Sequence, residues 1–176
     1  LTLSDLSGVA TQPRGSGDAG WIRVIADSAV LDQGGTIISE AAMAQGAPGA
    51  ITVVVAGRVL VSGVGTNSSG LNSQSLISTR VVNTGSESDA GDISIRAGSL
   101  ELIDGGLISA RTKTAPGSGF GNAGDIVIEV DSLVRVSGQH VLPGPFGLGL
   151  SSEISARGAG GAGGLIDITA STVEIS

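Results

Sequence analysis

The stretch "NAGDIVIEVDSLVRVSGQ" (residues 122–139) restates "DAGDISIRAGSLELIDGG" (residues 89–106) after 33 residues. Three looser copies follow the same small-residue–glycine step: "AGWIRVIADSAVLD" (19–32), "PGAITVVVAGRVLVSG" (48–63) and "GGLIDITASTVEIS" (163–176). The glycines in register are Gly20, Gly49, Gly91, Gly124 and Gly164, separated by 29, 42, 33 and 40 residues. A loose period around a tight motif is the mark of a repeat architecture. The opening "LTLSD" matches "LELID" (100–104) and supplies the tail of one more unit.

Within each copy, apolar residues alternate with period two, as in a strand buried on one face. The inward pairs of this first strand are Ile22/Val24, Ile51/Val53, Ile93/Ile95, Ile126/Ile128 and Ile166/Ile168. About five residues on, a second strand has inward pairs Leu1/Leu3, Ala29/Leu31, Val59/Val61, Leu100/Leu102, Val134/Val136 and Val173/Ile175. A third is expected at 36–41, 76–81, 107–112 and 153–158. No helical period appears. The Ala-rich "SEAAMAQG" (39–46) is the nearest helix candidate, but it sits where the other copies place strand and turn. Short isolated helices are marginal in any case.

Three short strands per unit, bent at glycine corners, describe one coil of a parallel β-helix. About five coils would stack at the ~4.8 Å strand spacing. Equivalent residues then form columns, so the aliphatic pairs make one core ladder. A sandwich of short strands is the rival all-β reading; it does not explain the recurring phase. The stacked reading places Glu101, Arg135 and Glu174 in one outward column of alternating sign, and Asp92 above Asp125. It also confines length variation to corners. The inserts at 64–75 and 139–152 leave one corner two coils apart, so both should lie on one face; those at 42–49 and 112–124 leave another.

Composition agrees. The 176 residues are 40% hydrophobic but only 2% aromatic, so the core must be Val, Ile, Leu and Ala. Thirty glycines imply many tight corners. A net charge of −7 disfavours nucleic acid and anionic membrane surfaces. There is no cysteine, so neither a disulfide framework nor a thiolate site exists. No signal peptide or lipidation motif is present, and the longest apolar runs, such as "ITVVVAG" (51–57), are too short to span a bilayer. The abrupt ends read as those of a fragment: residues 1–176 are expected to be one repeat region of a longer chain.

"GNAGDIVIEVDSLVRVSGQ", "AGDISIRAGSLELIDGGLISART" and "SSEISARGAGGAGGLIDITASTVEIS" resemble the repeats of filamentous-haemagglutinin-type exoproteins, in the version abundant in cyanobacteria. The resemblance covers nearly the whole chain and is best over 89–176. It implies a right-handed parallel β-helix, the hand also favoured by the general crossover preference. It further implies two-partner secretion and a role at the cell surface in adhesion or aggregation. That family's secretion domain carries an Asn-Pro-rich signature absent here, so the likeness is to the repeat stalk, from which no functional residues carry over.

Chemistry is sparse. No catalytic residue, cofactor or metal site is expected. Asp92 and Asp125 form the only stacked acid pair and are the only candidate Ca²⁺ contacts; solvated turn aspartates are the plainer reading. The Ca²⁺-binding nonapeptide pattern fails at "GGAGGLID" (160–167). His140 is the only histidine and lacks partners for zinc. "GSGFGNAG" (117–124) precedes a strand, so the helix N-terminus of a phosphate loop is missing. Trp21 is expected outward, and Phe120 and Phe146 in inserts, as local covers more than as sugar platforms. The apolar insert with His140, Pro143, Pro145 and Phe146 is the candidate interaction loop, folded back on the coil or docked on a neighbour.

The chain also ends in the phase in which it begins: "LTLS" (1–4) corresponds to "VEIS" (173–176). Three functions are expected in turn. The first is an extracellular structural and adhesive module binding surface glycan or protein. The second is a subunit stacked head to tail on copies of itself in a filament. The third, by fold analogy alone, is a polysaccharide-active enzyme.

Overall fold

The computed structural model describes residues 1–13, 17–41, 46–82, 88–112, 121–142 and 149–176. Every regular element among them is a strand, and the two larger sheets, of nine and five strands, are parallel throughout. The helix candidate at 39–46 is strand as far as Ala41; residues 42–45 lie outside the described residues, as do Phe120, Pro143, Pro145 and Phe146.

The nine-stranded sheet holds two ladders. In the first, Ile22 pairs with Ile51, Ile51 with Ile93, Ile93 with Ile126 and Ile126 with Ile166. Val24, Val53, Ile95, Ile128 and Ile168 follow two residues on in the same register. The second ladder runs Leu3, Leu31, Val61, Leu102, Val136 and Ile175. The five-stranded sheet is a third ladder, with Val9, Ile37, Ile77, Ile108 and Ile154 opposite one another. The repeats therefore pair residue for residue as the aligned glycines imply. β-Branched side chains stack well on such a surface. Ile51, Ile93, Ile126, Leu31, Leu102, Ile77 and Ile108 are fully buried in one cluster. Each contributes roughly 1.5–3 kcal/mol of burial.

Three features differ from the sequence reading. First, the first and second strands are separate in some layers but run on as single strands in Ile51–Ser62 and Ile93–Ile103, with a bulge at Gly57 and Gly98 where the pairing shifts register. Second, Gly8–Thr11 is a strand of the third ladder, though "GVAT" carries no aliphatic alternation. Third, Leu1, Val173 and Ile175 belong to core columns but are exposed, since each lies in a layer with a neighbour on one side only. The corner between the first two ladders alternates in length, in agreement with the aligned inward pairs. It spans three residues from Ala26 to Ala29 and from Ala97 to Leu100, but four from Val55 to Val59 and from Val130 to Val134. A gapless overlay of the two near-copies would put Leu133 against Leu100; the longer corner puts Val134 there, fully buried, and brings Arg135 opposite Glu101.

The two long inserts are antiparallel hairpins, Val64–Thr66 with Asn72–Gln74 and Gln139–Val141 with Gly149–Ser151. The layer between them turns tightly at Asp104–Gly105, and the two layers before the first hairpin turn at Asp5–Leu6 and Gln33–Gly34, both residues of each turn having positive φ. The hairpins share a face, as expected. A Cβ added at Gly105 would meet His140 and Leu150 on one side and Val64 on the other. Gln74 Nε2 donates to Gly105 O at 2.9 Å, and Gly105 N donates to Ser152 Oγ at 3.1 Å.

The corner between the third and first ladders has its own device. Ser39, Thr79 and Thr112 are buried at the ends of third-ladder strands, where their hydroxyls donate to Gly20 O, Gly91 O and Gly121 O. This satisfies carbonyls that the glycine corners would otherwise leave buried without partners.

Candidate functional site

Four places on this framework offer a surface for function. The largest is an open groove of about 990 Å³ outside the bend between the first and second ladders. Ile25, Val54, Arg96, Glu129 and Thr169 stand in register along it, on alternate residues to the core pairs. Arg96 and Glu129 form an ion pair at 2.5 Å, while Asp27 and Asp131 stand at the corner. Three strand spacings, ~14 Å, separate the layers of Asp27 and Asp131, beyond the ~5–9.5 Å between paired carboxylates of a glycoside hydrolase. The groove can hold an extended chain along the stacking direction, against an apolar floor with one charge pair. Among the described residues no aromatic side chain lines it; Trp21, outward as expected and 72% exposed, stands just before the strand Ile22–Ala26.

Asp92 and Asp125 do lie in adjacent layers, and the structure employs their oxygens. Asp125 N donates to Asp92 Oδ1 at 2.8 Å, and Leu165 N donates to Asp125 Oδ1 at 2.8 Å. The same device recurs one corner position earlier: Asn122 N donates to Asp89 Oδ1 at 2.7 Å and Ala162 N to Asn122 Oδ1 at 2.8 Å. Each side chain thus receives the free N–H of the next layer at a bend where the backbone ladder lapses. Among the described residues no three His, Cys, Asp or Glu side chains gather as a metal site would require.

His140 sits in the second hairpin, paired with Leu150 and half-buried against the Asp104–Gly105 turn. The Asp104–Gly105 turn stands between it and the first hairpin's Val64, an arrangement not evident from sequence. The rest of the candidate loop, Pro143, Pro145 and Phe146, lies outside the described residues.

The last surfaces are the open edges. Strands Ile166–Thr169 and Thr172–Ile175 pair on one side only, which exposes Ile166, Val173 and Ile175. At the opposite edge Leu1 and Val9 are exposed. Unpaired parallel edges with apolar columns are templates for further strands.

Neither a protein-family model, nor a curated protein, nor a solved structure matches the chain. Its surfaces must be read on their own chemistry. The outward ion-pair column is as expected and longer by one member. Glu101 is held between Arg58 at 2.8 Å and Arg135 at 3.8 Å, and Arg135 meets Glu174 at 2.9 Å. Arg58 escaped notice because Glu101 is paired in register with Leu60; the longer corner brings Arg58 alongside. These pairs are partly exposed and worth about 0–1 kcal/mol each. No helix among the described residues is long and apolar enough to cross a membrane.

Proposed function

We propose that the chain is a right-handed parallel β-helix of about five coils of three strands, and that it serves as a structural and adhesive module of a secreted cell-surface exoprotein, without catalysis. The observation that carries this reading is the five-deep register of equivalent residues from Ile22 to Ile166, with the third ladder stacked in the same phase. A parallel strand returned to its own sheet is connected with right-handed sense in nearly all folds. A coil built this way extends by repetition and presents long columns of outward side chains, which suits a stalk or a contact surface. The resemblance to haemagglutinin-type repeats points the same way. Displayed on a non-adherent bacterium, the chain is expected to raise retention on glycan- and protein-coated surfaces several-fold over an unrelated displayed domain. Equal retention would overturn the adhesive reading, and turnover of acidic polysaccharides by the purified chain would overturn the non-catalytic one.

A second reading is favoured by the open edges. Copies of the chain stack end to end, the Ile175 edge of one pairing with the Leu3 edge of the next, as Ile175 and Leu3 occupy one column. Light scattering and electron microscopy should then show concentration-dependent rods, abolished by Ile175→Lys. Isolated particles at all concentrations would exclude it.

A further inference from the structure

The third ladder carries a column of like charges on its outer face. Glu40, Arg80, Arg111 and Arg157 pair in register across four consecutive strands. Adjacent strands lie ~4.8 Å apart, so three guanidinium stems leave the sheet one above another. The outer two are neutralised. Arg80 meets Glu40 through Nε and Nη2, and Arg157 meets Glu153 of its own strand. Arg111, between them, has no carboxylate partner among the described residues. Elsewhere Arg58, Arg96 and Arg135 are all ion-paired. Among the described residues Arg23 also lacks an ion-pair partner, but it stands exposed in solvent, whereas Arg111 is half-buried. Burial first, then Arg80, then Arg157, push the pKa of Arg111 down from its ordinary value, and the more weakly acting Glu153 and Glu40 offset this only in part.

A serine column runs beside the arginines, two residues back. Ser78, Ser109 and Ser155 pair in register on the outward side of the strands, yet are only 2%, 2% and 7% exposed. Ser78 Oγ is buried without a hydrogen-bond partner. One layer on, Ser109, Ser155, Arg111 and Arg157 line an open pocket of about 290 Å³, together with Glu153, which is ion-paired to Arg157, and flanked by Gln74 and Gly149–Ser151. An uncompensated guanidinium, half-desolvated between two others, costs free energy that a counter-anion would return. In a chain of net charge −7 the placement is not a by-product of general basicity. The donors fix the shape of that anion. Two hydroxyls on neighbouring strands and a guanidinium further along one strand do not share a plane, which suits a tetrahedral group better than a flat carboxylate. The cavity is at the small end of ligand sites, right for one charged group and little more.

We propose that this cavity binds a tetrahedral oxyanion, sulfate or phosphate, either free or as an ester on a polysaccharide, with Arg111 as the central charge and Ser109 and Ser155 as hydroxyl donors. The site stands independently of the adhesive reading.

The test is thermal unfolding of the whole chain in sodium sulfate and sodium phosphate against sodium chloride at matched ionic strength. The wild type should gain stability saturably with the oxyanions. Arg111→Gln should keep or raise the low-salt midpoint, because repulsion is relieved, and should lose roughly 10- to 100-fold in oxyanion affinity. Arg23→Gln should leave that affinity intact. A linear gain shared by wild type and Arg111→Gln would be general salting-out and would overturn the proposal. So would an Arg111→Gln variant that is destabilised in low salt with its oxyanion response unchanged. If that variant does not fold, the wild-type Arg111 Nε–H resonance must shift saturably with sulfate, and a static resonance sinks the site. Dextran sulfate against plain dextran separates the sources. Tighter binding per sulfate to the polymer than to the ion assigns an ester group, and equal or weaker binding assigns the free ion. Binding to neither polymer nor ion overturns the proposal.

Discussion

Gly124→Ala should destabilise the chain by about 3 kcal/mol, the upper end of the cost of overpacking. The methyl carbon would stand 2.2 Å from Gly91 O and 2.5 Å from Gly91 C. Both atoms are backbone, so no side chain can turn aside to make room. The two layers would have to part, straining hydrogen bonds such as Ala90 N to Asn122 O at 2.9 Å and Ile93 N to Asp125 O at 2.8 Å. The corner repeats this contact down the molecule, with Gly49 against Gly20 O at 2.5 Å, Gly91 against Gly49 O at 2.6 Å and Gly164 against Gly124 O at 2.1 Å. That is the physical reason for the glycine in four of the five repeats, none of which has a positive φ; at Gly20, with no such layer beneath it, an added Cβ would meet only Thr11 Cγ2 at 3.7 Å. For a domain of this size the midpoint should fall by ~6–12 °C. Gly17→Ala is the control, since its methyl would meet open space. Equal midpoints for the two variants, read by thermal or urea unfolding, would show that the layers are not in contact at this corner.

Ile95→Ala should cost a further independent ~3–4 kcal/mol, a typical large-to-small loss in a close-packed interior. Ile95 is 0% exposed and lies between Val53 below and Ile128 above. Neither β-branched neighbour can swing into the space left, because each is held in its own layer by ladder hydrogen bonds. Ile168 occupies the same column in the last layer and is only partly buried. Ile168→Ala should therefore cost about 1 kcal/mol, in proportion to the smaller area it removes from contact. A steep fall from centre to edge along one column, in urea unfolding, is the signature of a stacked core. Equal costs at both positions would mean that the column is not a continuous layer of packing.

The parts of this architecture legible in the sequence are those where one side chain reports its own environment. Ile93 and Ile95 repeat as Ile126 and Ile128 because both must fill the same space, and they pair accordingly. Glu101 and Arg135 alternate in sign because they face each other across a strand pair. What stayed hidden depends on backbone geometry or on lateral neighbours. "GVAT" pairs through main-chain groups that any residues supply. Arg58 stands in register with Ser99, diagonal to Glu101, and its reach depends on the bend at the Val55–Val59 corner. The serine and threonine hydroxyls that meet Gly20 O and Gly121 O look like ordinary turn polarity until the corners are superposed. The arginine column was in plain view in "ISTRV", "ISART" and "ISARG". Its imbalance was not, because Glu40 comes from a strand 40 residues before Arg80 and Glu153 reaches Arg157 from its own strand.

One layer with a tight turn separates the two hairpin layers, and this bears on how such a chain can grow. Hairpins two strand spacings apart stand ~9.6 Å from one another, close to the ~10 Å at which β-surfaces pack face to face. Duplicating a hairpin layer by itself would set two hairpins only ~4.8 Å apart, whereas duplicating it with a tight-turn neighbour keeps the wider spacing. Such two-layer blocks match the 71, 75 and 73 residues that separate Gly20 from Gly91, Gly49 from Gly124 and Gly91 from Gly164.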